Sequence, residues 1–299
     1  MDLDDLIIQV FYWVDEAVTA VVAEQPGGRL RQRGFRPALG DSEVVTMEVV
    51  GAYLGLSEEA ALFDYFRRHY RHFFPGLLKV RRTSFVRQMA NLWKLKEAVW
   101  QHLLEQKASL PPYVIADSVP VPVCRFARAP RCKRFRGQAD YGHDWVDRNT
   151  FYGFRLHALV DPSGLIRSAY LTPAGVDEKD ALEDLTEGKV GRVLGDRNYW
   201  SPWRMDYWRE NGVKVIAPFK HKSRDPHPRW SAFLGGLRRR VETVFGQFTE
   251  RYDLKHIRAK DTWHLMSRLL RSFLSHTLMS LINRQLGHPP LQLAQLLLS

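Results

Sequence analysis

Cysteine is nearly absent from this chain, and acid is outnumbered by base. Two cysteines, Cys124 and Cys132, occur in 299 residues, which excludes a disulfide framework and fits a reducing compartment. The gap between them matches no structural zinc spacing. Two plain thiols in a basic loop are one reading, and a Cys-Cys-His site completed by His143 or His157 is the other. No run of 18 or more uncharged apolar residues occurs, and the N-terminus opens on Asp2, Asp4 and Asp5 where a signal sequence would be basic. Neither a membrane span nor a secretory leader is therefore expected, and the chain reads as soluble and cytoplasmic. No internal repeat and no low-complexity tract is found. Asp and Glu total 33 against 44 Lys and Arg, a net charge of +11 and a pI near 9.7. Such a surplus gains affinity by displacing counterions from a polyanion, and nucleic acid is the first candidate.

Apolar material is ample, at 45% hydrophobic residues and 12% aromatics, enough to fill one large or two ordinary domains. The first third reads as helical. Leu6, Ile7, Val10, Phe11 and Val14 recur at helical spacing, and a Gly/Pro/Arg-rich link from Gln25 to Leu39 follows, of a composition that orders against DNA. Asp41 or Ser42 caps a helix through Tyr53, Gly55 breaks it, and Ser57-Glu-Glu59 starts another. That pair is compatible with a helix-turn-helix and equally with a small bundle. Between Phe66 and Phe74, bases and aromatics interleave, either to grip phosphates and bases or as a helix end with its rings in the core. Ser84 starts a longer helix to Gln106. Leu110-Pro-Pro112 closes a helical N-terminal domain of residues 1–110.

From Tyr113 the period changes. Strands are expected at Tyr113–Cys124, Phe151–Val160, Leu165–Leu171 and Arg192–Gly195, the middle two forming a hairpin through Asp161-Pro-Ser-Gly164. Helices near Asp180–Glu187 and Pro202–Glu210, a short strand Val213–Pro218 and further helices complete the order. This is an α/β layout, a mixed sheet flanked by helices over residues 111–299. From Leu237 to Thr249, Leu237, Val241, Val244, Phe245 and Phe248 form one apolar stripe of a helix, bordered by Arg238, Glu242 and Thr249. Arg238 and Glu242 read as a surface ion pair or as half of a site.

Three acids stand where such a sheet gathers ligands: Asp117 within the first strand, Asp196 at the end of the strand Arg192–Gly195, and Glu242 on the later helix. Each alone suits a strand end or a helix cap. Three carboxylates converging in a protein this basic would repel DNA unless divalent cations neutralised them, and hard oxygen donors favour Mg²⁺ or Mn²⁺ over zinc. Two such ions serve phosphodiester chemistry without a covalent protein nucleophile. Arg155 and His157 share a face of their strand. They touch the scissile phosphate if that face meets the acids; otherwise His157 is a core histidine. Trp200 and Trp203 are either packing residues or a stacking surface for a frayed base.

Ile115-Ala-Asp117-Ser-Val-Pro-Val-Pro-Val-Cys, Phe151-Tyr-Gly-Phe-Arg-Leu-His157, Leu194-Gly-Asp196-Arg-Asn-Tyr199 and Arg239-Arg-Val-Glu242-Thr-Val-Phe-Gly-Gln together resemble the transposases of the IS982 group of bacterial insertion sequences, within the wider DDE transposases. Leu39-Gly-Asp-Ser-Glu-Val-Val-Thr and Tyr53-Leu-Gly are similar to that group's N-terminal region. The resemblance implies an RNase H-like catalytic domain with Asp117, Asp196 and Glu242 as a metal-binding triad. It implies about two Mg²⁺ ions, cleavage at the element's terminal repeats, joining to target DNA, and a homo-oligomer that synapses two double-stranded ends. It further implies phosphate contacts by Arg238 and its neighbour Arg239, with Tyr199 in the Asp-x-x-Tyr pattern. The chain departs from the group at Thr249, where a lysine is usual and for which Lys255 or Arg251 would substitute. It departs again at Ala174-Gly-Val-Asp-Glu178, read only as a helix start. A DNA-binding protein without chemistry, and a nuclease without joining, are the alternatives.

Overall fold

The protein is described by a computed structural model over residues 1–31, 37–188 and 191–297. Residues 32–36 of the expected basic link lie outside the described residues. The chain divides into two compact units, one of residues 1–109, 251–253 and 262–299, the other of residues 110–250 and 254–261.

The first unit is helical: α1 (Leu3–Ala23), α2 (Asp41–Tyr53), α3 (Glu59–His69), α4 (Arg82–Asn91), α5 (Trp93–Lys107) and α9 (Thr262–Gln285). The helix expected from Ser84 to Gln106 is broken at Leu92, which ends α4 and starts α5. Among the described residues α1 is the one helix long and apolar enough to cross a membrane by length and composition. Asp15 and Glu16 interrupt its apolar run. Its apolar stripe, Leu6, Ile7, Val10, Val14, Ala17 and Val21, is buried, and the helix packs on α2 and α5. Helix α2 is buried over nearly its whole length and is the hub of the unit. Gly51 admits α3, because a Cβ there would lie 2.5 Å from Leu62 Cδ1. In the Phe66–Phe74 stretch the rings of Phe66 and Phe74 are buried while Arg67, Arg68 and Arg71 stay in water, as an amphipathic helix end requires.

The C-terminal helix α9 packs against α2 and α5 and so belongs to this helical unit, whereas residues 111–299 were expected to form one domain. Long-range polar pairing accounts for the difference. Lys96 Nζ donates to Glu48 Oε1 at 2.8 Å, to Ser267 Oγ at 2.7 Å and to the Met89 carbonyl at 3.2 Å. Glu48 and Lys96 are 1% and 0% exposed, so removing Lys96 takes from buried Glu48 its hydrogen-bond partner and leaves only the Arg271 guanidinium to balance it. Arg268 makes a two-pronged bond to Glu59 at 2.6 and 2.8 Å, and Ser275 Oγ donates to the Val49 carbonyl at 2.8 Å.

The second unit is built on a six-stranded mixed sheet: β1 (Val114–Pro122), β2 (Asp140–Asp144), β3 (Asn149–Val160), β4 (Ile166–Pro173), β5 (Gly191–Leu194) and β6 (Val213–Ile216). Its order is β2-β3-β1-β5-β6, with β4 on β3. The β1–β3, β2–β3 and β3–β4 pairs are antiparallel; β1–β5 and β5–β6 are parallel. Strand β2 escapes a reading of periodicity because Asp140-Tyr-Gly-His-Asp has neither alternation nor β-branched residues, and is held by its ladder to β3. Helices α6 (Glu178–Thr186) and α7 (Pro202–Glu210) cross between strands, and α8 (Pro228–Glu250) packs on β1. Leu182 and Leu185 of α6 and Trp208 of α7 close one core with Ala116, Leu159, Val193 and Val215.

Lys96→Met should lower stability by about 3–5 kcal/mol, the cost of stranding Glu48 in the core. The Glu48→Gln/Lys96→Met double variant should recover much of that loss; denaturant titration followed by circular dichroism measures both.

Candidate active site

Alternation along β1 assigns neighbouring residues to opposite faces of the sheet. Ala116 is in the core under α6 and α7, so Ser118 shares that face and Asp117 turns to the other, toward α8. Arg238, on α8, reaches Asp117: its Nη2 donates to Asp117 Oδ2 at 3.1 Å. Both side chains are largely enclosed, at 21% exposure for Asp117 and 19% for Arg238, which sets this pair apart from a surface ion pair. The Ser118 amide donates to Asp117 Oδ1 at 2.9 Å. Arg238 Nε is buried with no hydrogen-bond partner among the described residues.

Asp196 follows the end of β5, the strand parallel to β1. Its Oδ1 accepts from the Asn198 amide at 2.8 Å and caps the short turn Arg197–Tyr199. Gly195 makes that turn possible: a Cβ there would sit 2.6 Å from the Tyr199 ring. Tyr199 itself is buried, at 2% exposure. Burial, and then the negative charges of Glu178, Asp117 and Asp196, push its phenol well above the ordinary value, with Arg238 opposing.

The same charges act on Asp117. Burial raises its carboxyl to about 6, Arg238 and the Ser118 amide pull it down, and Glu178 and Asp196 push it up. Glu178 is thus a member of the acidic cluster that sequence reasoning passed over. As the first residue of α6 it carries the ordinary signature of a helix start, where a carboxylate favours the helix dipole, and nothing local distinguishes the two roles. In three dimensions Ser118 Oγ donates to its Oε1 at 2.5 Å. Arg155 Nη1 stands 3.7 Å from the same oxygen and donates to Ser118 Oγ at 3.2 Å, and Arg155 Nη2 donates to the His143 carbonyl at 2.7 Å.

Arg155 and His157 share the Ser118 face, in register with Pro120 and Ser118. That face meets Glu178, while Asp117 faces the other way. His157 is 1% exposed, its Nε2 is 2.9 Å from Thr172 Oγ1, and burial lowers its pKa to about 4. It is the core histidine of the two readings, enclosed away from any DNA backbone. Glu242 is exposed on α8, one turn beyond Arg238, and Arg239 is exposed beside Arg238. Of the stripe expected on this helix, Val241, Val244, Phe245 and Phe248 are buried. Neither cation expected to replace the lysine missing at Thr249 is free. Arg251 belongs to the helical unit, donating to the Tyr53 carbonyl at 2.9 Å, and Lys255 is bonded to Asp144 at 2.8 Å and Asp147 at 2.5 Å. Trp200 packs edge-on against Phe219, whereas Trp203 is 65% exposed under the Arg204 guanidinium. Cys124 and Cys132 are free thiols.

Asp117, Asp196, Glu178 and Glu242 offer only carboxylate oxygens, the donor set of a hard divalent cation. Among the described residues no three His, Cys, Asp or Glu side chains stand close enough together to hold one ion. Arg238 occupies Asp117, and Ser118 holds Glu178 on the opposite face.

A basic α/β unit with one acid within its central strand and another just past the end of the parallel neighbour is compatible with a site that works on phosphodiesters. A sequence profile of the family described as Transposase DDE domain matches residues 108–262, about half of the chain and all of the acidic cluster, and the chain belongs to that family. It is a transposase. A cryo-EM structure of the piggyBac transposase synaptic complex with hairpin DNA is similar at 10% identity and a TM-score of 0.47, covering 99% of this chain and 76% of that one. No curated protein sequence matches.

The raised pKa of Asp117 has a measurable sign. Held at about 6 against an unfolded value of about 3.9, the carboxyl takes up a proton on folding between those pH values. Its stabilising contribution is complete below the unfolded value and is lost as pH rises through about 6. Asp117→Asn should therefore be more stable than the wild type at pH 7.5, by on the order of 2–3 kcal/mol, and in paired melts the difference should shrink as pH falls below about 6 and close only below about 3.9.

Proposed function

We propose that this transposase hydrolyses one strand at the end of an insertion sequence and joins the freed 3′-hydroxyl to target DNA, on an RNase H-like domain with Asp117, Asp196 and Glu242 as its acids. The observation that carries this reading is the approach of Asp117 and Asp196 on neighbouring parallel strands, with the α8 arginine seated on Asp117. The strand order supports the fold assignment: three antiparallel strands, β4, β3 and β1, followed by parallel β5 and β6. The position of α8 supports Glu242 as the third acid, because the helix lies on the side to which Asp117 turns and Glu242 is one turn from Arg238. The motifs quoted above support the IS982 group.

To hold Mg²⁺ or Mn²⁺, two ions in our reading, the three acids would have to draw closer than they stand here, with Arg238 leaving Asp117. When bound, such ions activate the attacking oxygen and neutralise the leaving one. The chain's own residues do the rest. Arg238, now on Asp117, is within one helical turn of Glu242 and is placed to exchange a carboxylate for a phosphate oxygen, and exposed Arg239 adds a second phosphate contact. Buried Tyr199 fixes the turn that presents Asp196. Arg155 and Ser118 hold Glu178 against β1 and so keep that strand's carboxylate in place from the far face. In the helical unit we assign α3, with Arg67, Arg68 and His69 exposed in its last turn, to contact with DNA ends. Two copies would synapse two ends in the bacterial cytoplasm.

Asp117→Asn, Asp196→Asn and Glu242→Gln should each reduce nicking of a terminal-repeat duplex to background while its binding in a gel shift stays within a few-fold. Glu178→Gln, a supporting carboxylate in this scheme, should cost about 10- to 100-fold. Full nicking by Glu242→Gln with none by Glu178→Gln would transfer the third role to Glu178. A pre-cleaved end that is bound but never joined would reduce the activity to that of a nuclease.

A further inference from the structure

Between Asn211 and Val241 the chain carries eight lysines and arginines and one acid, Asp225. That acid is already neutralised by Arg197, whose Nη2 lies 3.5 Å from its Oδ2. Arg197 also donates to the Phe219 carbonyl, so the loop leading to α8 is tied to the turn that follows Asp196. Lys220, Lys222, Arg224 and Arg229 are exposed, and none has an ion-pair partner among the described residues.

The first turns of α8 then place two large rings beside these cations. Ser231 and Leu234 point inward and are buried, at 7% and 1% exposure, while Trp230 and Phe233 point outward at 49% and 54%. Their centroids are 5.5 Å apart with the planes 25° from parallel, a stacked pair offered to solvent. Rings spaced i, i+3 on a helix ordinarily seal a core, and here the core is sealed by their neighbours.

We infer that Trp230 and Phe233 form a stacking site for unpaired nucleotides of a DNA strand, with Lys220, Lys222, Arg224 and Arg229 taking the phosphates. A flat base and an anion on one repeating unit match a ring pair set among unpaired cations. Duplex DNA does not offer its base faces, so the site selects single-stranded or frayed segments. A second copy meeting this patch ring to ring would set its own Lys220, Lys222, Arg224 and Arg229 against these cations, so a polyanion is the better occupant. The tie through Arg197 holds the site beside the Asp196 turn, where cutting one strand frees nucleotides from pairing. This subsite goes beyond the cleavage reading and needs neither metal nor catalysis.

The test is fluorescence anisotropy of the full-length protein in EDTA, on a labelled blunt duplex, the same duplex with a four-nucleotide tail, and one whose tail is abasic. The wild type should bind the natural tail about five- to a hundredfold more tightly than the blunt end, the range for one stacked base, and the abasic tail should lack most of that gain. Trp230→Ala/Phe233→Ala, two exposed positions, should lose the gain and keep blunt-duplex affinity within twofold, while Trp230→Phe retains it. Lys220→Gln/Lys222→Gln should weaken all three DNAs and flatten the salt dependence. Three results would overturn the proposal: no preference for the tail in the wild type, equal loss on all three DNAs in the alanine pair, or a change only in sedimentation, marking the rings as a contact between copies. Asp117→Asn should keep the tail preference, so loss of cleavage and loss of this site are read separately.

Discussion

A carboxylate taken out of water inside a strongly basic protein needs a counter-charge, and for Asp117 that charge is Arg238. The pair joins the central strand of the sheet to the helix that packs on it, across 121 residues of sequence. It does not fully repay desolvation, since Asp117 titrates near 6 in spite of the arginine. Two more acids, Asp196 and Glu178, press on the same carboxylate, and one arginine is a small answer to three negative charges. That imbalance is why burial and the two neighbouring acids outweigh Arg238 and keep the Asp117 carboxyl above its ordinary value. The sheet bears this local cost because its strands are covered by apolar helices, with Leu182, Leu185 and Trp208 on one side and Val241, Val244 and Phe248 in the core face of α8.

The helical unit handles buried charge in another way. Glu48 and Lys96 are completely enclosed, and their partners come from α4 and α9 as well as from each other. Paired charges of this sort add little net stability but penalise every alternative packing that separates them. They bind the C-terminal helix to the N-terminal ones. In the α/β unit, by contrast, Asp117, Arg238 and Glu178 keep about a fifth of their side-chain surface open.

Much of this was legible in the residues. The order of strands and helices from Tyr113 onward follows from period and turn signals, and Pro202–Glu210 is helical over the span expected. Asp117 and Asp196 stand out because each falls in or just after a Val- or Leu-rich strand. Strand β2 was hidden, since its polar residues pair through the backbone alone. Glu178 was hidden for a different reason: an acid opening a helix is what the helix dipole favours, so its second role leaves no local mark. His157 could be read two ways until the β1–β3 register put it opposite Ser118 and against Thr172.

The sequence by itself determined the basic character of the chain, the change from helical to strand period after Leu110, and the positions of the acids within their elements. These are properties of short windows, set by side-chain period, capping and turn chemistry. Only the tertiary structure decided which acids share a neighbourhood, that Arg238 sits on Asp117, that Arg155 serves Glu178, and that the last helix returns to the first domain. Each of these depends on strand register and on contacts between residues far apart in the chain, where a shift of one position along a strand turns a side chain to the opposite face.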